Sequence, residues 1–342
     1  MAAGAAFMSV VLGTPLLIRW LRRNEMGQQI RDDGPIDHPH AAKAGTPTMG
    51  GLAIVGATVV GYLFAHVRRG NVAFTSAGWT MLALIVGLGV VGFLDDYLAI
   101  RKRRNLGLRK RGKTLGIVAV ALVFAVLAIE WVNVDTVLSF VRPLDFDLET
   151  AGWILLAVLV VYATANSVNF TDGLDGLAAG SSAFTFAAFV VIAFTEFRHD
   201  EIYGVATAHA LDLAIIAAAM LGACAGFLWW NAAPARIMMG DTGSLAIGGA
   251  MAGLALLTQT TLLLPILAGL PLIETLSVVA QIISYRGFRR RVLRMAPIHH
   301  HFEVGGWPEF TVLVRFWLFS GICVALGIGL FYADFLNQGG SG

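Results

Sequence analysis

The chain has 342 residues, of which 57% are hydrophobic and 13% are charged, and its mean hydropathy is +0.74. A typical water-soluble domain, in which about 25% of the residues are charged, is therefore excluded, and a protein made mostly of membrane helices is indicated. The net charge of +2 is too small to identify a partner, and we expect no nucleic-acid partner.

Ten apolar segments are long enough to cross a bilayer, which takes about 17–25 residues each. They are residues 3–21, 48–66, 76–94, 114–132, 151–168, 174–195, 205–229, 242–258, 260–283 and 312–333. The sequence therefore predicts an all-α polytopic integral membrane protein, with one transmembrane domain over residues 1–342.

Positive side chains are distributed unevenly among the nine connections between these segments. Of the 24 lysines and arginines, 18 lie in odd-numbered connections and four in even-numbered ones. Because lysine and arginine mark the cytoplasmic side of a membrane, the odd-numbered connections are predicted to be cytoplasmic and both termini extracytoplasmic.

Polar, glycine-rich motifs also concentrate in the odd-numbered connections, which cover residues 22–47, 95–113, 166–176, 230–244 and 284–311. Motifs on one membrane face can meet at one site, whereas a transport pathway needs polar groups reachable from both faces. The pattern therefore predicts chemistry at the cytoplasmic surface.

Adjacent acids end the third segment at Asp95 and Asp96. Neighbouring helical positions point about 100° apart, so we expect at most one of the two to face a ligand and the other to orient it. The alternative is that both are solvated acids at the end of a helix.

Two further acidic motifs follow. Asp172 and Asp175 are three residues apart in "NFTDGLDG", close to Asn169, and either bind a ligand or cap the sixth helix. Asp241 follows Gly240 in "MGDTGS", where a helix N-terminus favours an anion but a carboxylate repels it. A divalent cation such as Mg²⁺ between acid and phosphate removes that conflict.

The run of His299, His300 and His301 lacks the ligand spacing of a zinc site. Imidazoles close to several arginines suit hydrogen bonding to phosphate or sugar oxygens, and Lys43 offers a further positive charge. The polar motifs of the sequence include no Ser–His–Asp arrangement, P-loop or dinucleotide-binding motif. They are typical of metal-assisted phosphoryl transfer with a lipid as one substrate.

Five motifs carry a family resemblance: "KAGTPTMGG", "GFLDDY", "NFTDGLDGLA", "NAAPARIMMGDTGSLAIGG" and "RMAPIHHHFE". They resemble the signatures of the phospho-N-acetylmuramoyl-pentapeptide transferases, a branch of the polyprenyl-phosphate sugar-1-phosphate transferases. The acidic motifs are common to that wider group, while "GTPTMGG" and "MAPIHHHFE" are specific to the branch.

The resemblance implies a role for each matching residue. The residues expected in catalysis are Asp95, Asp96, Asp172, Asp175 and His300. Those expected to bind substrate are Lys43, Asn169, Asn231, Gly240, Gln281, His299 and His301. The expected metal ligands are Asp241 and Asn169. Two positions depart from the family pattern, because Ala99 replaces a usual lysine and Met238 a usual aromatic residue.

The resemblance also implies Mg²⁺ dependence, a homodimer in the bacterial inner membrane, and a cytoplasmic active site. The expected reaction transfers phospho-MurNAc-pentapeptide from UDP-MurNAc-pentapeptide to undecaprenyl phosphate, giving lipid I and UMP. The acceptor phosphate attacks directly, or an aspartyl-phosphate forms first; we favour direct attack. The closest alternative is a sister transferase that uses UDP-GlcNAc.

Overall fold

The computed structural model describes residues 1–24, 26–27, 45–67, 72–101, 107–203 and 205–339, and these are predominantly helical. The helices are α1 (Ala2–Arg23), α2 (Gly51–Val67), α3 (Ser76–Arg101), α4 (Lys110–Leu127), α5 (Glu149–Thr171), α6 (Leu177–Arg198), α7 (Asp200–Tyr203), α8 (Thr207–Asn231), α9 (Gly240–Leu257), α10 (Leu264–Leu267), α11 (Gly269–Phe288), α12 (Ile298–Val304) and α13 (Glu309–Gly339). The predicted all-α polytopic membrane class is confirmed.

Each predicted apolar segment coincides with a helix, but not every helix has the expected length. In the described ranges, eight helices are long and apolar enough to cross a membrane, counting α4 together with the π-helical turn Ala128–Val132 that continues it. Helix α2 has only 17 residues. The ninth predicted segment is broken at Ala268 into α10 and α11, so the expected continuous span over 260–283 is not found.

Helix α9 is the centre of the bundle. Of the residues in its apolar stretch, 89% are buried, whereas only 22% are buried in the apolar stretch of α13. It packs most closely on α3 and α5. Small residues permit this approach: a side chain at Gly248 would meet the backbone of α5, and one at Gly249 would meet Leu88 of α3. The residues at the N-terminus of α9 are therefore held by neighbours on several sides.

The end of the bundle opposite the odd-numbered connections carries two features that the sequence did not predict. A short antiparallel hairpin pairs β1 (Val137–Ser139) with β2 (Pro143–Asp147). Asp212 on α8 is fully buried, with His66 Nε2 3.0 Å from its Oδ1 and the hydroxyl groups of Tyr62 and Thr75 donating to its Oδ2. This network joins the ends of α2, α3 and α8.

Candidate active site

The first and seventh connections meet through backbone hydrogen bonds. The amide of Met238 donates to the carbonyl of Pro47 (2.8 Å), and the amides of Gly50 and Gly51 donate to the carbonyls of Met238 and Met239 (2.9 Å each). The rigid turn before α2 is thereby fixed against the segment that leads into α9. Two of the five motif-bearing connections lie side by side at the start of the central helix.

The third connection joins them through Asp96, which caps α9. Its Oδ1 accepts from the amide of Asp241 (3.0 Å), and its Oδ2 accepts from the amide (3.0 Å) and hydroxyl (2.7 Å) of Thr242. These are amides of the first helical turn, which lack partners inside the helix. Gly240 has a φ of +72°, and a Cβ there would lie 2.6 Å from Asp96 Oδ2. Asp96 therefore fixes where Asp241 lies.

Asp95 lies beside this cap with a different set of contacts. Its Oδ1 accepts from the amide of Leu108 (2.8 Å), which closes the third connection back onto α3. The carboxylates of Asp95, Asp96 and Asp241 each place an oxygen within 4.8 Å of the other two. Three carboxylates at this separation repel one another strongly unless a cation lies among them.

Asp241 accepts hydrogen bonds on both carboxylate oxygens. The side-chain amide of Asn169 donates to Oδ1 (2.5 Å) and also to the hydroxyl of Ser244 (2.8 Å), so the fifth connection reaches the same site. The ammonium of Lys113, near the start of α4, forms an ion pair with Oδ2.

Asp172 adds a fourth acid to the site at the end of α5. The pKa of its carboxyl is raised well above the ordinary value, firstly by burial and then by the charges of Asp241, Asp96 and Asp175. The amide of Gly240 donates to it and opposes part of that rise. The fifth and seventh connections thus bring several acids close enough for their charges to shift one another's pKa values.

Asp175 and Asn231 lie deeper and hold the chain around the site. Asp175 is 3% exposed and accepts from the amide of Ala235 (2.9 Å). Asn231 is 2% exposed; its oxygen accepts from the amide of Gly176 (3.0 Å), and its amide donates to the carbonyl of Ile237 (2.9 Å). In this geometry the Asn231 side chain joins two loops, and its expected role in substrate binding stays a prediction.

The histidine run lies on the short helix α12, and its three members have different surroundings. His299 has no exposed surface and donates from Nδ1 to Oε2 of Glu274 on α11 (3.0 Å). A side chain at Gly173 would collide with the His299 ring, so α12 packs directly on the fifth connection. His299 is thus buried against Glu274 and the fifth connection, and its expected role in substrate binding stays a prediction.

His300 and His301 lie nearer the surface. His300 donates from Nδ1 to Oε2 of Glu303 (2.7 Å), and their side chains are 13% and 6% exposed. His301 accepts on Nδ1 from the amide of Arg294 (3.0 Å), which leaves its proton on Nε2. Both rings are oriented by partners within the ninth connection.

Gln281 organises the segment that leads to α12. Its oxygen accepts from the amides of Val292 and Leu293 (3.0 Å each), and its amide donates to the carbonyl of Leu293 (3.0 Å). The side chain therefore shapes the ninth connection. Lys43 lies outside the described residues.

Sequence reasoning assigned no site role to Lys113, Thr242 or Glu303. Lys113 belongs to a basic segment of the third connection. Lys110, Arg111 and Lys113 all lie in the first turns of α4, and of these three it is Lys113 whose ion pair with an acid the structure shows. Glu303 had a local signal, since it lies three residues after His300 on a helix. Only the fold brings Thr242 to Asp96.

The donor set fits a hard divalent cation. Carboxylate and amide oxygens are the ligands that Mg²⁺ takes, usually with water and substrate phosphate. Asp95, Asp96 and Asp241 supply clustered carboxylates, and Asn169 has an amide oxygen that a rotation of the group would present. An acidic cluster of this kind is what metal-assisted transfer of a phosphoryl group requires.

The family comparisons agree with this arrangement. Residues 78–259 match the model described as glycosyl transferase family 4, and residues 43–55 match phospho-N-acetylmuramoyl-pentapeptide-transferase signature 1. Proteins named phospho-N-acetylmuramoyl-pentapeptide-transferase are similar over nearly their whole length. That of Frankia alni is 52% identical over 99% of this chain and 98% of its own, and that of Streptomyces griseus is 48% identical over 97% of each. This polytopic membrane chain belongs to the phospho-N-acetylmuramoyl-pentapeptide-transferase family.

Proposed function

We propose that this chain transfers phospho-MurNAc-pentapeptide from UDP-MurNAc-pentapeptide to undecaprenyl phosphate, forming lipid I and UMP. The observation that carries the proposal is the acidic cluster of Asp95, Asp96 and Asp241 in a chain that named transferases match from end to end. All three acids lie within the stretch that matches the family model.

Mg²⁺ is the cofactor that we propose, held by Asp241 with oxygens from Asp95 and Asn169 within reach. When bound, it supplies positive charge that stabilises phosphate oxygens as negative charge develops on them. Asp96 acts by orientation, because its two oxygens already accept from the backbone and side chain at the start of α9.

The acceptor needs little activation. A phosphate monoester has a second pKa of about 6, so undecaprenyl phosphate is largely dianionic at neutral pH. We propose that one of its oxygens attacks the sugar-proximal phosphorus of the donor. A new P–O bond to the lipid phosphate forms as the P–O bond to UMP breaks, and UMP leaves with the bonding electron pair. Asp95 positions the acceptor or removes its residual proton.

The donor is expected to lie between the fifth and ninth connections. Asp172 and His300 are the groups that we expect to contact it, with His301 Nε2 as a further donor. Gly240 is proposed to act beside them, through the amide that it donates to Asp172. Lys43 keeps its proposed role as a phosphate contact.

Three residues are proposed to position the donor site. Asp175 and Asn231 join the fifth and seventh connections, and Gln281 shapes the ninth. Their side chains are buried or hydrogen-bond to the backbone, which supports a role in positioning the loops that bind the donor.

We propose that the protein is a homodimer in the bacterial inner membrane, with ten crossings, both termini extracytoplasmic and the active site on the cytoplasmic face. The support is the charge bias of the connections, since 18 of the 24 lysines and arginines lie on the side of the acidic cluster. The bilayer then brings the lipid acceptor to the site from the side.

A sister activity on UDP-GlcNAc is the second candidate, because the matching model for residues 78–259 describes a broader transferase family. The acidic cluster lies within that shared stretch, whereas the histidine run lies outside it. Discrimination between the donors is therefore assigned to the ninth connection and its helix α12.

The test is a donor comparison with purified protein in lipid nanodiscs. Radiolabelled UDP-MurNAc-pentapeptide and UDP-GlcNAc are each supplied with undecaprenyl phosphate and Mg²⁺, and lipid-linked label is measured, with Asp95→Asn as the inactive control. We expect label from the muramoyl donor alone; label from UDP-GlcNAc alone would overturn the assignment. Omitting the lipid tests the mechanism, since release of one UMP per enzyme would contradict direct attack.

A further inference from the structure

Among the described residues, Lys113 is the cationic partner of Asp241, the acid expected to hold the metal. Its ammonium forms an ion pair with Asp241 Oδ2, and the two side chains are 21% and 19% exposed. Asn169 occupies the other oxygen, Oδ1. Both oxygens of the expected metal ligand are thus taken up by donors of this chain.

Each carboxylate oxygen has a second lone pair, so it is charge, rather than a lack of acceptor sites, that makes a divalent cation on Asp241 compete with these donors. Asn169 can remain, because rotating its amide presents an oxygen in place of the NH₂ group. An ammonium has three donors and no acceptor, so it has no way to face a cation. At about 4 Å, its charge also repels a divalent ion strongly in a partly desolvated site. Lys113 is the group that has to leave.

The local structure keeps Lys113 close to the site after it leaves. The amide of Leu108 donates to Asp95 (2.8 Å), and the backbone at Gly107 packs against the same residue. The start of α4 is thus fixed to the end of α3. Release of the ammonium changes only side-chain torsions, and the positive charge stays within reach of a phosphate bound at the acids.

We propose that Lys113 and the divalent cation bind Asp241 alternately, and that the ammonium displaced by the metal becomes a contact for the anionic substrate. Lys113 is then a built-in counter-ion that keeps the clustered acids together until the metal takes over that task. The proposed contact between Lys113 and the substrate rests on the proposed transferase function. The exchange of Lys113 for the metal at Asp241 does not depend on it.

Amine labelling of the wild-type protein tests the exchange without any substrate. An acylating reagent is applied in EDTA and in Mg²⁺, and modified lysines are quantified by mass spectrometry. Lys110, exposed on the same helix, is the internal reference. We expect modification of Lys113 to rise several-fold in Mg²⁺ and that of Lys110 to stay constant. Equal or lower modification of Lys113 in Mg²⁺ would overturn the exchange.

Metal affinity gives an independent measure. Mn²⁺ binding is followed by electron paramagnetic resonance in wild type, Lys113→Met and Lys113→Arg, with thermal unfolding as the check of folding. Removing the competing charge is expected to tighten Mn²⁺ binding about tenfold in the Met variant, with little change in the Arg variant. Unchanged or weaker binding in a folded Met variant contradicts the proposal; if that variant does not fold, the labelling result decides.

The proposed contact between Lys113 and the substrate has its own readout. Addition of UMP to the Mg²⁺-loaded protein is expected to protect Lys113 from acylation again, while Lys110 stays reactive. If UMP binds by equilibrium dialysis but leaves Lys113 reactive, the substrate contact is disproved and the exchange stands. If UMP does not bind at all, it is the transferase assignment that fails.

Discussion

Asp96 caps the helix on which Asp241 lies, so one member of the adjacent acid pair sets the position of the acid expected to hold the metal. Three hydrogen bonds of 2.7–3.0 Å connect Asp96 to the first turn of α9. Its neighbour Asp95 instead accepts from the amide of Leu108 and lies against the carboxylate of Asp241. The two aspartates therefore have separable roles.

Replacing each aspartate by alanine should separate these roles. Asp96→Ala is expected to lower the free energy of unfolding by about 1–2 kcal/mol, because the first turn of α9 loses its cap. Asp95→Ala should destabilise less. Both are expected to lower transfer activity at least about hundredfold. Thermal unfolding in detergent and the radiolabel assay check this, and a larger stability loss for Asp95→Ala would contradict the capping role.

Gly240 should not tolerate a side chain. Its φ of +72° and the 2.6 Å approach of Asp96 Oδ2 to a Cβ predict that Gly240→Ala costs about 1–3 kcal/mol and weakens Mn²⁺ binding. Gly56→Ala on α2 is the matched control, because a Cβ there has open space around it. Thermal unfolding and metal titration of both variants provide the test. Equal behaviour of the two would show that the turn relaxes freely.

The pair of Glu274 and His299 should couple α11 to α12. Glu274→Leu leaves the buried ring without its acceptor, and we expect a loss of about 1–3 kcal/mol and a raised KM for the donor. Glu274→Gln keeps an acceptor and should lose less. In the double variant with His299→Leu, part of the stability should return. A double-mutant cycle on unfolding midpoints measures the coupling, and strict additivity would exclude it.

Asp172 should make stability depend on pH. Its pKa is raised in the folded protein by burial and by neighbouring carboxylates, so the folded state favours the protonated form. That contribution is complete below the unfolded pKa of about 3.9 and is lost as pH rises through the folded value. Because asparagine does not titrate, the stability of Asp172→Asn relative to wild type should increase with pH across this window in EDTA.

Asp147 on the hairpin is a control for which the expected change of stability with pH has the opposite sign. This carboxyl is exposed, and its pKa is lowered because the amide of Glu149 and then the hydroxyl of Thr136 donate to it. Its contribution is present above the unfolded pKa and is lost as pH falls through the folded value. Wild type should therefore lose stability relative to Asp147→Asn at acidic pH only. The same direction of change for both variants would contradict the assigned environments.

The sequence by itself determined that the chain is a helical membrane protein, and it predicted that the polar motifs of the odd-numbered connections share one face. Long apolar segments have no stable alternative to a helix in lipid, and the bias of positive charge groups the connections by side. Asp95 and Asp96 lie near the C-terminal end of α3 and Asp241 at the N-terminal end of α9, so the alternating direction of the segments predicts these acids at one end of the bundle. These properties depend on composition and order alone.

Only the tertiary structure decided what each polar side chain touches. The burial of His299 on Glu274 and the contact of Lys113 with Asp241 join residues that are distant in sequence. The break at Ala268 divides a segment whose composition alone is that of one continuous span. Periodicity reports which face of a helix is apolar, but not which neighbour supplies a hydrogen bond to a polar group on it. That choice depends on helix packing, which glycines such as Gly92 set by letting α3 approach the backbone of Asp241.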